Sequence, residues 1–253
     1  MVGGGKMGEA LLGGLLAAGR EVAVAEAFAP RREELTAKHP DVQVTAEAIE
    51  AEGAVIAVKP GDVPAAARAA ADAGAQRILS VAAGITTRAI EDAVAKPLPV
   101  VRAMPNTPAL VGEGAAAISP GAHAGEADLA WAEGVLGAVG RVVRVPEKLQ
   151  DAVTGVSGSG PAYIFLVAEA LADAGVLAGL PRATAETLAF QTLFGAAKLL
   201  VESGDSPAAL KAAVTSPGGT TAAGLRELER HGVRSAFLEA VMAAADRSRE
   251  LGA

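Results

Sequence analysis

The chain has 253 residues, 51% of them hydrophobic and 20% charged, which is enough apolar material for a full core and too much for a disordered chain. At roughly 150 residues per domain, that length predicts one to two domains. A net charge of −7 argues against nucleic acid as a partner, and the absence of cysteine excludes disulfides and thiol catalysis and suits a cytoplasmic protein.

Gly3-Gly4-Gly5-Lys6-Met7-Gly8 opens the chain. Gly3, Gly5 and Gly8 match the spacing G-x-G-x-x-G. In that fingerprint the first glycine makes a tight turn, the second admits a pyrophosphate to the backbone, and the third packs a helix on its strand. An apolar helical pattern follows through Leu16, with Gly19 as its stop, and then a strand over 22–25. Glu26 lies 18 residues beyond Gly8, close to where an acid would hold the adenine ribose hydroxyls. The fingerprint also predicts an apolar strand ahead of Gly3, where only Met1 and Val2 stand. The expectation is a first strand that is unusually short, or one that begins upstream of this sequence.

Further strands are predicted at 42–44, 54–58, 78–81, 100–103, 115–118 and 142–145, alternating with helical runs in the manner of a parallel sheet with crossover helices. Pro30 sits in one helix's first turn, Asp62 precedes another that holds Pro64, and Thr86 or Thr87 caps a third. After Pro146 the strand signals stop. Helices are predicted over 161–178, 183–202, 207–214, 221–230 and 236–251. The fold class is therefore α/β, with a Rossmann-type dinucleotide-binding domain over 1–148 and an all-helical domain over 149–253. The helical half carries so much apolar surface that an obligate homodimer is expected. The most apolar stretch, 162–180, holds Glu169 and Asp173, which favours a buried or interface helix over a membrane span. No secretory leader is expected from the glycine-rich start, and the protein reads as soluble.

Between two helical patterns lies Val214-Thr215-Ser216-Pro217-Gly218-Gly219-Thr220-Thr221. Glycines permit close backbone approach, and the following helix begins with unpaired N–H groups beside hydroxyls, which is the chemistry of a carboxylate pocket. The plain alternative is a helix connection capped by Thr220 or Thr221.

These segments together resemble one family, pyrroline-5-carboxylate reductase, over essentially the whole chain. The resemblance rests on GGGKMGEALL at the start, AVKP at 57–60, VRAMPNTPA at 101–109, AVTGVSGSGPAY at 152–163 and AAVTSPGGTTAAGLRELE at 212–229. It implies reduction of 1-pyrroline-5-carboxylate to L-proline with NADPH or NADH, and a helical domain that interlocks with a partner subunit; the family also forms larger rings of dimers. It carries Gly3, Gly5, Lys6, Met7 and Gly8 to the pyrophosphate turn, and Ala57, Val58, Lys59 and Pro60 to a loop after a strand end. Asn106 goes near the nicotinamide. Ser216, Gly218, Gly219, Thr220 and Thr221 contact the substrate, with Thr221 as the hydrogen-bond donor to the imine nitrogen. Hydride comes from the cofactor, so no acid–base dyad is required. One departure is that Ala46 and Glu47 stand where many members carry an asparagine that reaches the cofactor ribose.

Cofactor choice stays open at this level. Glu26 favours NADH, whereas Arg31 and Arg32 offer a seat for the 2′-phosphate of NADPH, and dual use is the expectation. His39, His123 and His231 show no ligand spacing, so no metal site is expected. A hydroxyacid reductase of the same plan would need a catalytic lysine in the second half, and neither Lys198 nor Lys211 sits in such a motif. A non-catalytic dinucleotide-binding protein is the other rival, and the Ser216–Thr221 chemistry speaks against it.

Overall fold

A computed structural model of the chain describes residues 1–252, and its strands fall on the β-branched runs: β1 (Ala23–Ala25), β2 (Gln43–Thr45), β3 (Ala54–Ile56), β4 (Ile78–Ser80), β5 (Val100–Met104), β6 (Gly114–Pro120) and β7 (Gly140–Arg144). β1 pairs with β2, and β3 to β7 pair in chain order. Every residue of β3 and β4 is buried, as expected of strands covered by helices on both faces. On one face α1 (Lys6–Ala17) and α5 (Glu126–Leu136) supply Leu11, Leu15, Ala132 and Leu136 to the core. On the other, α3 (Val63–Asp72) and α4 (Thr87–Val94) supply Val63, Ala67, Ile90 and Val94.

The expected first strand exists as a single residue. Val2 bridges β1 at Ala25 and β3 at Ile56, both in parallel sense, and so joins the two halves of the sheet. Its N–H donates to the Val55 carbonyl and its own carbonyl accepts from Ala57, each at 2.8 Å, while Gly3 N–H donates to Ala25 at 2.8 Å. At the lower end of this position lies a cavity of about 510 Å³ bounded by Met1, Ala23, Ala54 and Trp131. The Met1 amine donates to the Ala23 carbonyl at 2.6 Å, and its burial lowers its pKa to about 6.

The sheet is not wholly parallel, contrary to the sequence reading: β6 runs antiparallel to β5, with Arg102 opposite Ser119. Only a short turn through Thr107–Val111 connects them, too little chain for a crossover helix, so the chain must fold straight back.

The expected caps are mixed. Thr86 accepts from Ala89 N–H at 3.2 Å at the start of α4, but Asp62 precedes α3 without a side-chain bond to it. A stronger clamp was not foreseen. Glu147 accepts from both Thr87 N–H (2.7 Å) and the Thr87 hydroxyl (2.8 Å), and pairs with the buried Arg102 at 3.3 Å. Glu147→Ala would strand the Arg102 charge in the core and is expected to cost about 2–3 kcal/mol, read as a lowered denaturant midpoint at unchanged slope.

The polypeptide divides into two compact units, and the division does not follow the boundary expected near Lys148. The first unit runs from Met1 to Ser159 and resumes at Val241; the second is Gly160–Ala240. The physical reason lies in α11 (Val233–Leu251), whose C-terminal half belongs to the first unit. There Ser248 donates to Asp151 at 2.7 Å, and a side chain on Gly155 would meet the Val241 carbonyl at 2.6 Å. Asp151 lies in the short helix α6 (Gln150–Val153), so this first helical turn past the last strand stays with the sheet.

The second unit is helical, as predicted, with α7 (Gly160–Leu177), α8 (Arg182–Glu202), α9 (Pro207–Ala213), α10 (Thr220–Arg230) and the first half of α11. α7 and α8 approach closely through small residues: Ala172, Ala185 and Ala189 are buried, and Gly175 faces Ala185. Their large side chains point elsewhere. Phe165 and Leu166 on α7 and Phe194 on α8 are each more than 60% exposed, an apolar surface of the kind that a partner subunit covers.

Candidate active site

The three fingerprint glycines occupy three different environments. Gly3 adopts φ +99°, a left-handed conformation that favours glycine, and a side chain there would meet the Ala57 carbonyl at 2.6 Å. A Cβ on Gly8 would overlap the Gly3 carbonyl, so α1 rests directly on the turn. Around Gly5, by contrast, nothing lies within 4 Å of an added Cβ. Gly5 is the N-cap of α1, makes no side-chain cap bond, and has an extended φ of −66°. The first-turn N–H groups of α1, with Lys6 exposed and Met7 half-buried beside them, therefore open onto a cradle free of protein atoms. That cradle fits a dinucleotide pyrophosphate, because the N–H groups and the helix dipole both favour an anion there.

Neighbouring elements brace this turn. Ala57 and Val58, just past β3, pack against Gly3, while Lys59 and Pro60 stand exposed at the start of a short 3-10 turn, Pro60–Asp62. Glu26 follows β1 and accepts the Gly4 N–H on Oε2 and the Phe28 N–H on Oε1, both at 2.8 Å. Arg31, in α2 (Ala29–Lys38), donates from Nε to the Gly4 carbonyl at 2.7 Å and also pairs with Glu34 and Glu9. Lys38 and Arg31 together hold the Glu9 carboxyl below the ordinary carboxylate range, and Glu34 and Glu9 raise Arg31 in turn. Gly4 and Glu9 did not stand out in the sequence as bracing residues, although both lie inside the glycine motif.

Asn106 is buried, and both ends of its amide are engaged. Nδ2 donates to the Ser157 carbonyl at 3.1 Å and Oδ1 accepts from Ala115 N–H at 2.8 Å. Asn106 thus ties the β5–β6 turn to a single π-helical turn, Thr154–Gly158. The glycines of that turn mark close approaches: a side chain on Gly158 would meet Met104 Cε at 2.5 Å. Such π turns occur often at functional sites. The sequence reading quoted this block without giving it a task.

In the helical unit, the structure decides how the Ser216–Thr221 stretch begins its helix. The N-cap of α10 is Gly219, with no side-chain cap, and neither Thr220 nor Thr221 fills that role. Gly218 takes φ +69°, and Gly219 N–H donates to the Ser216 carbonyl at 3.0 Å, closing a tight turn. A side chain on Gly219 would have to displace the Ser216 hydroxyl, which lies where it would go. The turn therefore presents the first-turn N–H groups of α10 uncapped, beside the hydroxyls of Ser216 and Thr220 on the surface and of Thr221 half-buried. Among the described residues no partner holds the Thr221 hydroxyl, whereas Thr215 is committed to the Lys211 carbonyl at 2.6 Å. An anion-binding helix start with a free donor beside it can seat a carboxylate and hydrogen-bond a developing charge nearby.

Among the described residues no group of three metal-ligating side chains comes together. One helical stretch, Glu147–Leu177, is long and apolar enough to cross a membrane by length and composition.

Comparison with known proteins bears on both halves. Residues 147–251 match the family model for pyrroline-5-carboxylate reductase dimerisation, and residues 1–84 match that for coenzyme F420-dependent NADP oxidoreductases. The pyrroline-5-carboxylate reductase of Synechocystis is 48% identical, covering 100% of this chain and 97% of its own. That of Methanosarcina acetivorans is 43% identical over 99% of this chain and 96% of its own. Among solved structures, the pyrroline-5-carboxylate reductase of Coxiella burnetii superposes with a TM-score of 0.93 at 35% identity, over 100% of this chain and 97% of that one. The Plasmodium falciparum pyrroline carboxylate reductase, solved with NADP bound, gives 0.85 at 28% identity, with coverage of 100% and 97%.

Proposed function

The chain belongs to the pyrroline-5-carboxylate reductase family, and from that membership we propose that it reduces the C=N bond of 1-pyrroline-5-carboxylate to L-proline, the last step of proline biosynthesis. It is an NAD(P)H-dependent oxidoreductase with a Rossmann-type domain and a helical dimerisation domain, and it acts as a homodimer. The observation that carries the site assignment is the uncapped start of α10, where Ser216, Gly218, Gly219, Thr220 and Thr221 surround free N–H groups.

These N–H groups and the Ser216 and Thr220 hydroxyls hold the substrate carboxylate. Thr221 donates a hydrogen bond from its hydroxyl to the ring nitrogen, which takes up a proton from solvent as hydride reaches the ring carbon, and so stabilises the charge that develops there. The cofactor, when bound, supplies the hydride. Gly3, Gly5, Lys6, Met7 and Gly8 seat its pyrophosphate, Glu26 meets its adenosine ribose, and Ala57, Val58, Lys59 and Pro60 line the turn beside it. Asn106 acts at the nicotinamide end through the π turn it fastens, and Arg31 braces the glycine turn from behind. The protein's work is thus orientation and electrostatics.

The domain assignment proposed is a cofactor domain over 1–148 and a dimerisation and substrate domain over 149–253, with the C-terminal half of α11 falling in the compact unit of the first. A ring of dimers, a cytoplasmic setting and the absence of nucleic-acid and membrane partners belong to the same proposal. They are supported by the apolar face of α7 and α8, the lack of cysteine and the net charge of −7. The deciding assay follows nicotinamide absorbance with pyrroline-5-carboxylate present and absent. Substrate-dependent oxidation of NADH or NADPH is the expected result, and a folded dimer that oxidises neither would sink the proposal.

A further inference from the structure

The parallel register of β3, β4 and β5 lines up three segments at the carboxyl ends of the strands: 57–60 after β3, 81–86 after β4 and 105–106 after β5. Ligands of an open α/β sheet bind along that edge. Val2 and the glycine turn lie between β1 and β3, and Glu26 follows β1. With the pyrophosphate on the turn and the adenosine half toward Glu26, the other half of a dinucleotide crosses the ends of β3, β4 and β5.

The middle segment, 81–86, does little to hold itself. Val81 N–H donates to the Ile56 carbonyl at 3.1 Å, but among the described residues the N–H groups of Ala82, Ala83 and Gly84 have no partner. Ala83 stands exposed at the tip, between buried Ala82 and buried Gly84, which takes φ +78°. The segment is held instead by residues far along the chain. The end of α11 lies against it: a side chain on Gly252 would meet the Gly84 carbonyl at 2.6 Å, and Ser248 ties α11 to Asp151 at 2.7 Å. On the other side Glu147 accepts the Thr87 N–H and hydroxyl, at 2.7 and 2.8 Å, where the segment passes into α4. Its carboxylate also pairs with the buried Arg102 of β5 at 3.3 Å, so the sheet sets its position. Unpartnered N–H groups at a ligand edge are donors for a bound group, and fixing them in advance gains affinity.

We propose, on the cofactor reading above, that Glu147 is a positioning residue for the nicotinamide half of the cofactor, acting through Thr87 on the segment between β4 and α4. The test compares NADH and NADPH with ADP-ribose, which carries adenosine and pyrophosphate but no nicotinamide, in equilibrium titrations of the full-length protein. Glu147→Gln keeps the shape and one acceptor oxygen. It should weaken whichever reduced dinucleotide the unmodified protein takes by about tenfold and leave ADP-ribose within about twofold, because only the nicotinamide half loses its seat. Turnover at saturating dinucleotide should fall as well, since a displaced nicotinamide misses the geometry for hydride transfer. Thr87→Val removes one of the two bonds, leaves the Glu147–Arg102 pair in place and should weaken the dinucleotide by about threefold. Thr87→Ser keeps the hydroxyl and should recover most of that loss. If Glu147→Gln does not fold, the Thr87 pair decides alone. A lowered denaturant midpoint with dinucleotide and ADP-ribose binding both unchanged would give Glu147 a role in stability only and overturn the proposal. Equal weakening of both ligands would overturn it too, because the disturbance would then reach the whole site. Binding of none of the three to the folded, unmodified protein would overturn the cofactor reading together with the proposal.

Discussion

Thr221→Ala is expected to lower turnover by roughly ten- to a thousandfold, the range for removing one donor that acts on charge developing in the transition state. The fold should be almost indifferent. Thr221 lies in the first turn of α10, is half-buried, and its hydroxyl holds no other group among the described residues. Alanine is also the better helix former, so stability should change by no more than about 0.5 kcal/mol. Thr221→Ser restores the hydroxyl and should recover most of the rate, which a purely structural role for the threonine methyl would not predict. Steady-state turnover measured on the three proteins decides the matter. Equal rates for threonine and alanine would remove Thr221 from its proposed role and leave Ser216 and Thr220 as the nearest hydroxyls.

The second large effect separates two glycines that the motif alone makes equivalent. Gly5→Ala should fold normally, since its φ of −66° suits any residue and no atom lies within 4 Å of the new methyl. It should nevertheless weaken dinucleotide binding by at least about tenfold, because the methyl occupies the cradle where the pyrophosphate meets the backbone. Gly8→Ala should do the reverse. Its methyl overlaps the Gly3 carbonyl, a backbone atom that cannot swing aside, and a loss of about 1–3 kcal/mol is expected from overpacking. Denaturant melts and dinucleotide titrations on both variants give a crossed pattern: stability intact with binding lost for Gly5, and stability lost for Gly8. A destabilised Gly5→Ala with normal binding would contradict the assignment of that cradle.

Much of the molecule was legible because its signals are local. Strands β1 to β7 fall on the short runs read as strands, and the cap Thr86 sits where a hydroxyl precedes a helical pattern. The Ser216–Thr221 turn was recognisable from composition, although two readings of it survived. Residues alone could not say whether a threonine capped the helix, because Gly219, Thr220 and Thr221 are adjacent and each is an acceptable N-cap. The position of the cap depends on the turn closed by Gly219 on Ser216, and hence on Gly218 taking a left-handed conformation.

The sequence by itself determined the two kinds of architecture, the glycine turn, the acid after β1 and the hydroxyl-rich start of α10, since each is written in spacings of a few residues. Only the tertiary structure decided what is built from residues far apart in the chain. The antiparallel seat of β6, the return of α11 to the first unit, the grip of Glu147 on Thr87 and Arg102 and the tie from Asn106 to Ser157 are of this kind. So is the capture of Arg31 by Glu9 across 22 residues. Spacing encodes which groups a helix or a turn will present. It does not encode which distant charge reaches them first, because that is settled by how packed elements bring side chains within bonding distance.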